Sequence, residues 1–271
     1  MREARVSPTR SLGQHFLSDY GFVNRIVAAA ELSADDVVVE VGPGLGVLTQ
    51  KLAQTTGKVV AIEIDAKLAE RLREQLKDEA NVIVVQGDAL TVEPRSLLEA
   101  ADVTPETPYV VVANLPYNAG TAIVRRFLEA SRPPKRMVVM LQREVAASMT
   151  APAGETGLLG VSVQVYANAK RLFNVPPRAF YPPPRVVSSV VRLDVRPEPI
   201  VPIEERDRFF RVVRAGFSAP RKQLRNTLAQ GLGLPPSEAA RIIEAAGLEP
   251  TLRPQQLRLE DWLGLSREVA T

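Results

Sequence analysis

The stretch Val37-Val38-Val39-Glu40-Val41-Gly42-Pro43-Gly44-Leu45-Gly46 decides the fold of this chain. Its first five residues form a nearly all-apolar run, which is typical of a strand buried in a parallel sheet. The glycines that follow let the backbone turn sharply and approach a ligand closely. The stretch therefore predicts a strand that ends at a binding site and leads into a helix at 46–54.

Strand-like apolar runs alternate with helical segments on both sides of this stretch. The predicted strands are 37–41, 59–62, 82–85, 109–113 and 137–141, and the predicted helices are 21–31, 46–54, 66–77 and 120–130. This alternation indicates a doubly wound α/β sheet of parallel strands. Two further β-like stretches, 159–173 and 186–194, have no long helix between them and predict an antiparallel hairpin at the sheet edge. The expected sheet thus has seven strands, mostly parallel.

The segment Arg196–Pro202 is the best candidate for a linker. Proline at every second or third residue keeps it extended and removes amide donors. Beyond it the sequence is helical in pattern, at 204–216, 220–230, 235–246 and 255–268. We therefore predict an α/β domain over 1–196, which includes a polar N-terminal arm, and a small all-helical domain over 197–271.

Composition narrows the class of protein. The chain has no cysteine, which excludes disulfides and thiolate metal sites, and its single histidine, His15, disfavours a zinc site. No apolar run approaches the roughly 18 residues that span a bilayer, and the first thirty residues lack the apolar block of a signal peptide. We expect a cytoplasmic, metal-free monomer with no membrane partner.

Positive charge is concentrated in the second half of the chain. Residues 1–150 contain 17 basic and 19 acidic side chains, whereas 151–271 contain 17 basic and 12 acidic ones. From Arg208 to Ser237 there are six basic residues and no acidic residue. This imbalance indicates a polyanionic partner, although charge alone leaves a merely solvated face equally open.

Acidic residues mark the ends of three consecutive predicted strands. Glu63 follows the glycines by about 20 residues and can accept hydrogen bonds from ribose hydroxyls. Asp88, in Gly87-Asp88-Ala89, can accept one from an adenine amino group. A dinucleotide-binding enzyme would also have an acid at the position of Glu63. Glu40, however, would repel a pyrophosphate at the helix N-terminus, and it suits a ligand with a cationic amino group and a sulfonium. The alternative is three exposed acids without a ligand.

The tetrapeptide Asn114-Leu115-Pro116-Tyr117 follows the fourth strand and so lies on the same rim. An exocyclic adenine amine is a poor nucleophile because its lone pair is delocalised into the ring. The side-chain oxygen of Asn114 and a nearby backbone carbonyl can accept hydrogen bonds from its two N–H groups and so aim the lone pair. We include Leu115 with Asn114 and Tyr117 among the predicted catalytic residues. Tyr117 offers a flat face, and stacking contributes about 1–3 kcal/mol per base. The alternative is an ordinary turn with a packing tyrosine.

These segments together resemble the rRNA adenine N6,N6-dimethyltransferase family, and within it the bacterial small-subunit (16S) enzymes. The resemblance covers nearly the whole chain and is carried by 14–17, 40–49, 61–65, 87–90, 114–117 and 180–188. It implies a Rossmann-like class I methyltransferase sheet with S-adenosyl-L-methionine as methyl donor. It also implies dimethylation of two adjacent adenines in a loop near the 3′ end of 16S rRNA, in the immature small subunit during ribosome biogenesis.

The resemblance also implies roles for individual residues. The arm at His15 and Leu17 would fold over the cofactor, and Phe180 would cover the face of the target base opposite Tyr117. His15 stands where these enzymes often have asparagine, and both side chains can donate a hydrogen bond. The residues implied to line the cofactor site are Gly42, Glu63, Asp88 and Asn114. The residues implied to approach RNA lie in the helical tail: Arg214, Phe217, Arg221, Lys222 and Arg225.

Three other functions compete with this one. A resistance-type methyltransferase would act on one large-subunit adenine, but the Gly-Pro-Gly-Leu-Gly loop and the long helical tail favour the small-subunit reaction. A non-enzymatic ribosome-assembly factor could keep the fold, but the intact Asn114 and Tyr117 argue against loss of activity. A nicotinamide oxidoreductase would share only the glycine loop and Glu63.

Overall fold

A computed structural model describes residues 15–104 and 106–269 of the chain. Its strands are β1 (Phe16–Leu17), β2 (Val37–Val41), β3 (Lys58–Glu63), β4 (Val82–Gln86), β5 (Tyr109–Asn114), β6 (Arg136–Gln142), β7 (Ala167–Val175), β8 (Phe180–Tyr181) and β9 (Ser188–Val195). Its α-helices are α1 (Tyr20–Ala30), α2 (Val47–Ala53), α3 (Ala66–Gln75), α4 (Pro94–Glu99), α5 (Gly120–Leu128), α6 (Arg143–Met149), α7 (Leu158–Gln164), α8 (Arg206–Gly216), α9 (Leu224–Leu232), α10 (Pro236–Ala245) and α11 (Leu259–Glu268). Across this part of the chain, no helix is long and apolar enough to cross a membrane.

Seven of these strands form one sheet in the order β4-β3-β2-β5-β6-β9-β7. The pairs from β4 to β6 are parallel, whereas β9 runs antiparallel to β6. The predicted seven-stranded, mostly parallel sheet is therefore confirmed. Strand order reverses at β2, which lies between β3 and β5, and ligands of such sheets bind at the carboxyl ends of the strands beside this reversal.

The strands around the reversal are buried because helices cover both faces of the sheet. Every residue of β2 is buried, as are the first five of β5. Helix α1 buries Val23, Ile26, Val27 and Ala30, the i, i+3, i+4, i+7 spacing of one helix face. Its N-terminus is fixed by Asp19, whose carboxylate accepts from Gly21 N at 2.8 Å.

The predicted hairpin strand at 159–173 is partly wrong, because residues 158–164 form helix α7. Val161, Val163 and Val165 are all buried, and their alternation imitates a strand. Gly160 lies at a tightly packed point of this helix. A Cβ on Gly160 would lie 2.8 Å from the Thr156 side chain and 2.9 Å from Ser148 O. The strand β7 begins only at Ala167.

The chain divides into two compact units. One comprises the described residues up to Ala146 together with Lys170–Val195, and the other comprises Ala147–Ala169 together with the described residues from Arg196 onwards. The first, here the α/β unit, contains the carboxyl ends of β2 to β5. The second, here the helical unit, contains α7 as well as α8 to α11, so it is larger than the tail that begins at residue 197. The division into a catalytic domain over 1–196 and an RNA-contacting domain over 197–271 remains a prediction.

The proline-rich segment Arg196–Pro202 begins where the two units divide, and it is hydrogen-bonded within the helical unit. Arg196 N donates to Tyr166 O at 2.8 Å and Ile200 N to Val165 O at 3.0 Å. Val201 is fully buried. The prolines keep the segment extended, as expected, but the remaining amides bind it to the helical unit. Trp262 is fully buried in the same unit.

Candidate active site

A cavity of the α/β unit opens at the carboxyl ends of the strands beside the reversal. At about 240 Å³ it far exceeds the roughly 10–15 Å³ that one water molecule needs, so it can hold a small organic ligand. Residues that line it come from the described part of the N-terminal arm (15–17, here the arm), from the glycine loop (42–46) and from the ends of β3, β4 and β5. They are His15, Phe16, Val41, Gly42, Gly44, Ile62, Glu63, Ile64, Gly87, Asp88, Ala89, Leu90, Asn114, Leu115, Pro116, Tyr117, Asn118, Ala119 and Ile123.

The glycine loop forms the wall of the cavity beneath the arm. Gly44 has φ +57°, a left-handed conformation that favours glycine. A Cβ there would lie 2.8 Å from the Phe16 ring. Glycine at 44 therefore serves both the turn and the close packing of the arm on the loop. Phe16 is a cavity residue that the sequence analysis did not single out.

Glu63 lies at the end of β3 with its carboxylate held by backbone amides. Its Oε2 accepts from Gly44 N and its Oε1 from Asp65 N, both at 3.0 Å. Burial raises the pKa of this carboxyl, and the two amide donors act in the opposite direction. A carboxylate has about four acceptor positions, so Glu63 can still accept from the two hydroxyls of a ribose, as its spacing from the glycines predicts.

Asp88 lines the cavity at the end of β4, where its Oδ1 accepts from Leu90 N at 2.9 Å. Two apolar residues next to the strand-end acids are unusually exposed, namely Ile64 at 52% and Leu90 at 38%. Both line the cavity. Exposed apolar side chains inside a cavity suit the faces of a planar ring. Neither residue was predicted from the sequence, although Ile64 follows Glu63 by one position and Leu90 follows Asp88 by two.

Glu40 does not carry the role that the sequence indicates. Its side chain is 1% exposed and lies outside the cavity lining. Burial raises the pKa of Glu40 to about 8, with a smaller lowering from the nearby Thr49 hydroxyl and a further rise from Glu63. Within the described residues, Glu40 Oε2 has no hydrogen-bond partner. At neutral pH this carboxyl is therefore largely protonated, and it supplies no negative charge to a ligand.

Asn114 is held in one orientation by the arm. Its Nδ2 donates to His15 O at 2.9 Å. Because a carbonyl only accepts, this bond fixes the amide and leaves Oδ1 as an acceptor. Pro116 O is used by Ala119 N and Gly120 N, whereas Leu115 O accepts no hydrogen bond within the described residues. The motif thus presents two neutral acceptors, Asn114 Oδ1 and Leu115 O.

Tyr117 is half-buried and its ring lines the cavity. Its hydroxyl shares a 2.7 Å hydrogen bond with Ser188 Oγ. The His15 ring lies 5.6 Å away between centroids. Burial raises the pKa of Tyr117, so the phenol stays neutral. Ser188, at the start of β9, was not assigned a role in the sequence analysis; it fixes the position of the ring.

The side chains of Leu17 and Phe180 do not line the cavity. They are 6% and 4% exposed and belong to one buried cluster. Their backbones pair across β1 and β8, and His15 Nδ1 forms a 2.8 Å hydrogen bond with Pro182 O. The arm is thus fixed to β8, and both side chains pack into the core; closure of the arm over the cofactor remains a prediction. Base stacking by Phe180 remains a prediction.

The basic residues of the helical unit lie in a different kind of environment. Arg214 is on α8, Arg225 is on α9, and Arg221 and Lys222 are in the turn between them, where a helix from 220 was predicted. All four, here the basic surface, are exposed, and none forms a salt bridge with another described residue. Phe217 packs against Trp262, with ring centroids 5.3 Å apart, and so contributes to the core.

Similarity to known proteins extends over nearly the whole chain. A family model described as "Ribosomal RNA adenine dimethylase" matches residues 7–270. A protein of Dehalococcoides mccartyi named "Ribosomal RNA small subunit methyltransferase A" is 42% identical over 261 residues, which cover 96% of this chain and 88% of the relative.

Two solved structures resemble this one closely. One, titled a 23S rRNA methyltransferase ErmE, has a TM-score of 0.73 at 31% identity and covers 93% of this chain and 98% of its own. The other, a dimethyladenosine transferase from Plasmodium falciparum, has a TM-score of 0.77 at 25% identity and covers 93% and 96%. Both similarities include the α/β sheet and extend to most of the helical tail.

Proposed function

The chain belongs to the ribosomal RNA adenine dimethylase family, and from this premise we propose that it dimethylates adenine N6 in 16S rRNA. S-adenosyl-L-methionine is the methyl donor. The target is two adjacent adenines in a loop near the 3′ end, within the immature small subunit. The enzyme acts in the cytoplasm as a monomer, with no metal and no membrane partner.

The observation that carries the proposal is the acceptor pair beside Tyr117. Asn114 Oδ1 is available as an acceptor because Asn114 Nδ2 donates to His15 O. Leu115 O is available because it accepts no hydrogen bond within the described residues, whereas the next carbonyl, Pro116 O, is already used. An exocyclic amine has two N–H groups, and the pair matches this number. Tyr117, fixed by Ser188, supplies the flat face for the base.

The cavity fits the methyl donor by the chemistry of its lining. Glu63 would accept from the ribose hydroxyls, Asp88 from the adenine amino group, and Ile64 with Leu90 would contact the faces of the adenine ring. The glycine loop leaves room for the methionine part. When bound, S-adenosyl-L-methionine supplies an electrophilic methyl group on a positively charged sulfur.

The residues of this chain act mainly by positioning. With the methyl donor bound, the adenine N6 lone pair would form the new C–N bond as the C–S bond breaks, and the electrons of that bond would remain on sulfur. Asn114 Oδ1 and Leu115 O hold the N–H groups so that the lone pair points at the methyl carbon. N6 becomes acidic only after it gains the methyl group, so a proton leaves without a strong base. Positioning of two bound substrates can supply about 7–11 kcal/mol.

The second candidate is methylation of large-subunit RNA, which the similarity to the 23S rRNA methyltransferase favours. The higher identity of the small-subunit relative, 42% against 31%, favours the proposed function. The nicotinamide oxidoreductase alternative is wrong for a member of this family. A mainly non-catalytic assembly role lacks a supporting feature, because the acceptor pair and Tyr117 are intact.

Tritiated methyl transfer to unmethylated small and large subunits, followed by mapping of the modified base, tests the proposal. We expect label on two adjacent adenines of the small-subunit RNA and two methyl groups on each. Label on one large-subunit adenine would replace the proposal by its rival. Binding of the methyl donor without transfer to either subunit would support the assembly role.

A further inference from the structure

Tyr181 is an exposed aromatic residue placed beside the cavity. In the antiparallel pair β1–β8, Phe16 lies opposite Tyr181 and Leu17 lies opposite Phe180. Side chains of directly opposed residues share one face of a sheet, and neighbours along a strand alternate. Leu17 and Phe180 occupy the buried face, so Tyr181 shares the other face with Phe16, which lines the cavity.

The exposure of Tyr181 contrasts with its rigid attachment. The side chain is 66% exposed, so the ring contributes little to the core. Its backbone is paired with the arm, and three prolines follow it. His15 joins this loop to the reaction centre, because it bonds to Pro182 O through Nδ1 and accepts from Asn114 Nδ2 through its own carbonyl. An exposed aromatic ring on a fixed backbone is suited to bind a planar partner.

Charge around Tyr181 matches a nucleic acid. Arg178 and Arg185 lie on either side of it in the sequence, and both are exposed. Neither forms a salt bridge within residues 15–104 and 106–269. No acidic residue occurs from 156 to 193, a stretch that contains five basic ones. Positive side chains around an exposed aromatic ring are typical of surfaces that bind single-stranded RNA.

We propose that Tyr181 stacks on the nucleotide next to the adenine held by Tyr117, and that it is a positioning residue for a substrate with two adjacent adenines. The inference rests on the proposed function and deepens it. A base outside the cavity and a base inside it would each have an aromatic partner. Arg178 and Arg185 would hold the flanking phosphates.

Steady-state methylation of unmethylated small subunits by Tyr181 variants tests this. Tyr181→Ala should raise KM for the subunits by about 5- to 100-fold, the range expected for loss of one stacked base, with kcat and the Kd for S-adenosyl-L-methionine unchanged. Tyr181→Phe should restore KM, whereas Tyr181→Leu should not, because leucine lacks an aromatic face. Tyr20→Ala is the matched control, since Tyr20 is 64% exposed but stands at the start of α1.

Each other result overturns the inference. A KM for Tyr181→Ala within about twofold of the wild type would exclude stacking. Rescue by leucine as good as that by phenylalanine would indicate simple packing. Equal weakening of S-adenosyl-L-methionine binding would indicate that Tyr181 only supports the arm. An active wild type with an insensitive Tyr181 leaves the proposed function intact, whereas an inactive wild type removes both.

Discussion

The cavity of the α/β unit and the basic surface of the helical unit are built in opposite ways. In the cavity, the polar side chains that matter are held by neighbours: Glu63 by two backbone amides, Asn114 by His15 and Tyr117 by Ser188. On the basic surface the side chains extend into water without a salt bridge among the described residues. One region is arranged before its ligand arrives, and the other has charge but no fixed geometry.

This difference determines how each region should respond to mutation. In the cavity, replacement of one side chain also displaces its hydrogen-bond partners or leaves them unpaired. Effects on binding and catalysis should therefore be large and insensitive to salt. On the basic surface, each side chain contributes a screened attraction to phosphate, so effects are small, roughly additive and dependent on salt. Mutations can therefore test whether the contrast is real.

The largest effect is expected for Tyr117→Ala. Loss of the stacking face and misplacement of the adenine should lower kcat by roughly 10²- to 10³-fold, with the Kd for S-adenosyl-L-methionine nearly unchanged. Tyr117→Phe keeps the ring but loses the bond to Ser188, and should lose only about 2- to 10-fold. Single-turnover methylation and calorimetric titration measure the two quantities. An equal loss of donor binding in the alanine variant would contradict a role in stacking.

Glu40 offers a test of burial within the same unit. Since burial raises its pKa to about 8, above the usual 4.5, the folded protein keeps a proton that the unfolded chain releases. Stability from this group is therefore full below about pH 4.5 and is lost as pH rises towards about 8. Glu40→Gln should remove that loss and raise the free energy of unfolding at pH 8 by on the order of 4 kcal/mol, with a much smaller change at pH 5.

Urea unfolding of both proteins at pH 5, 6.5 and 8 measures this difference. A constant offset between the variant and the wild type across the three pH values would mean that Glu40 does not titrate in this range. A falling offset would mean that its pKa is lowered. Either result would restore the negative charge that the sequence analysis assigned to Glu40.

Glu63→Gln should weaken S-adenosyl-L-methionine binding by about 10- to 100-fold, the range for hydrogen bonds to a charged group. Since burial raises the pKa of Glu63, wild-type binding should also weaken earlier on acidification than it would with an exposed carboxylate. Glu40→Gln is the matched control, because it makes the same substitution in the adjacent strand at a carboxyl outside the cavity lining. Equal weakening by both variants would show that Glu40 contacts the ligand.

The sequence predicts the cavity well where position along a strand is sufficient. Glu63 and Asn114 each end a strand, Asp88 follows the end of β4 by two residues, and the carboxyl ends of parallel strands meet at one edge. Spacing alone therefore brings them together, and the structure places all three in the cavity lining. The seven-stranded sheet follows from the same alternation of strands and helices.

The direction of individual side chains is what the sequence could not supply. Strands β1 and β8 have two residues each, and a shift of one position moves a side chain to the other face, so the sequence does not show that Leu17 and Phe180 point into the core. Glu40 lies in a run buried on both faces, where no alternation shows which way it points. For the basic surface, the sequence supplies charge without geometry.

The smallest effect is expected for neutralisation of the basic surface. Arg221→Gln with Lys222→Gln should weaken binding to small-subunit RNA a few-fold at physiological salt, and should lower the slope of log K against log salt by about 0.7 per lost phosphate contact. Arg241→Gln with Arg258→Gln removes the same charge from other exposed positions of the helical unit and should leave the slope nearly unchanged. Filter binding across a salt series measures both. If the two pairs lower the slope equally, the helical unit attracts RNA only through its total charge, and the basic surface is no more than solvated lysine and arginine. If only the first pair lowers the slope, its side chains contact phosphate directly. The basic surface then differs from the cavity in having no fixed geometry, although both regions bind the substrate.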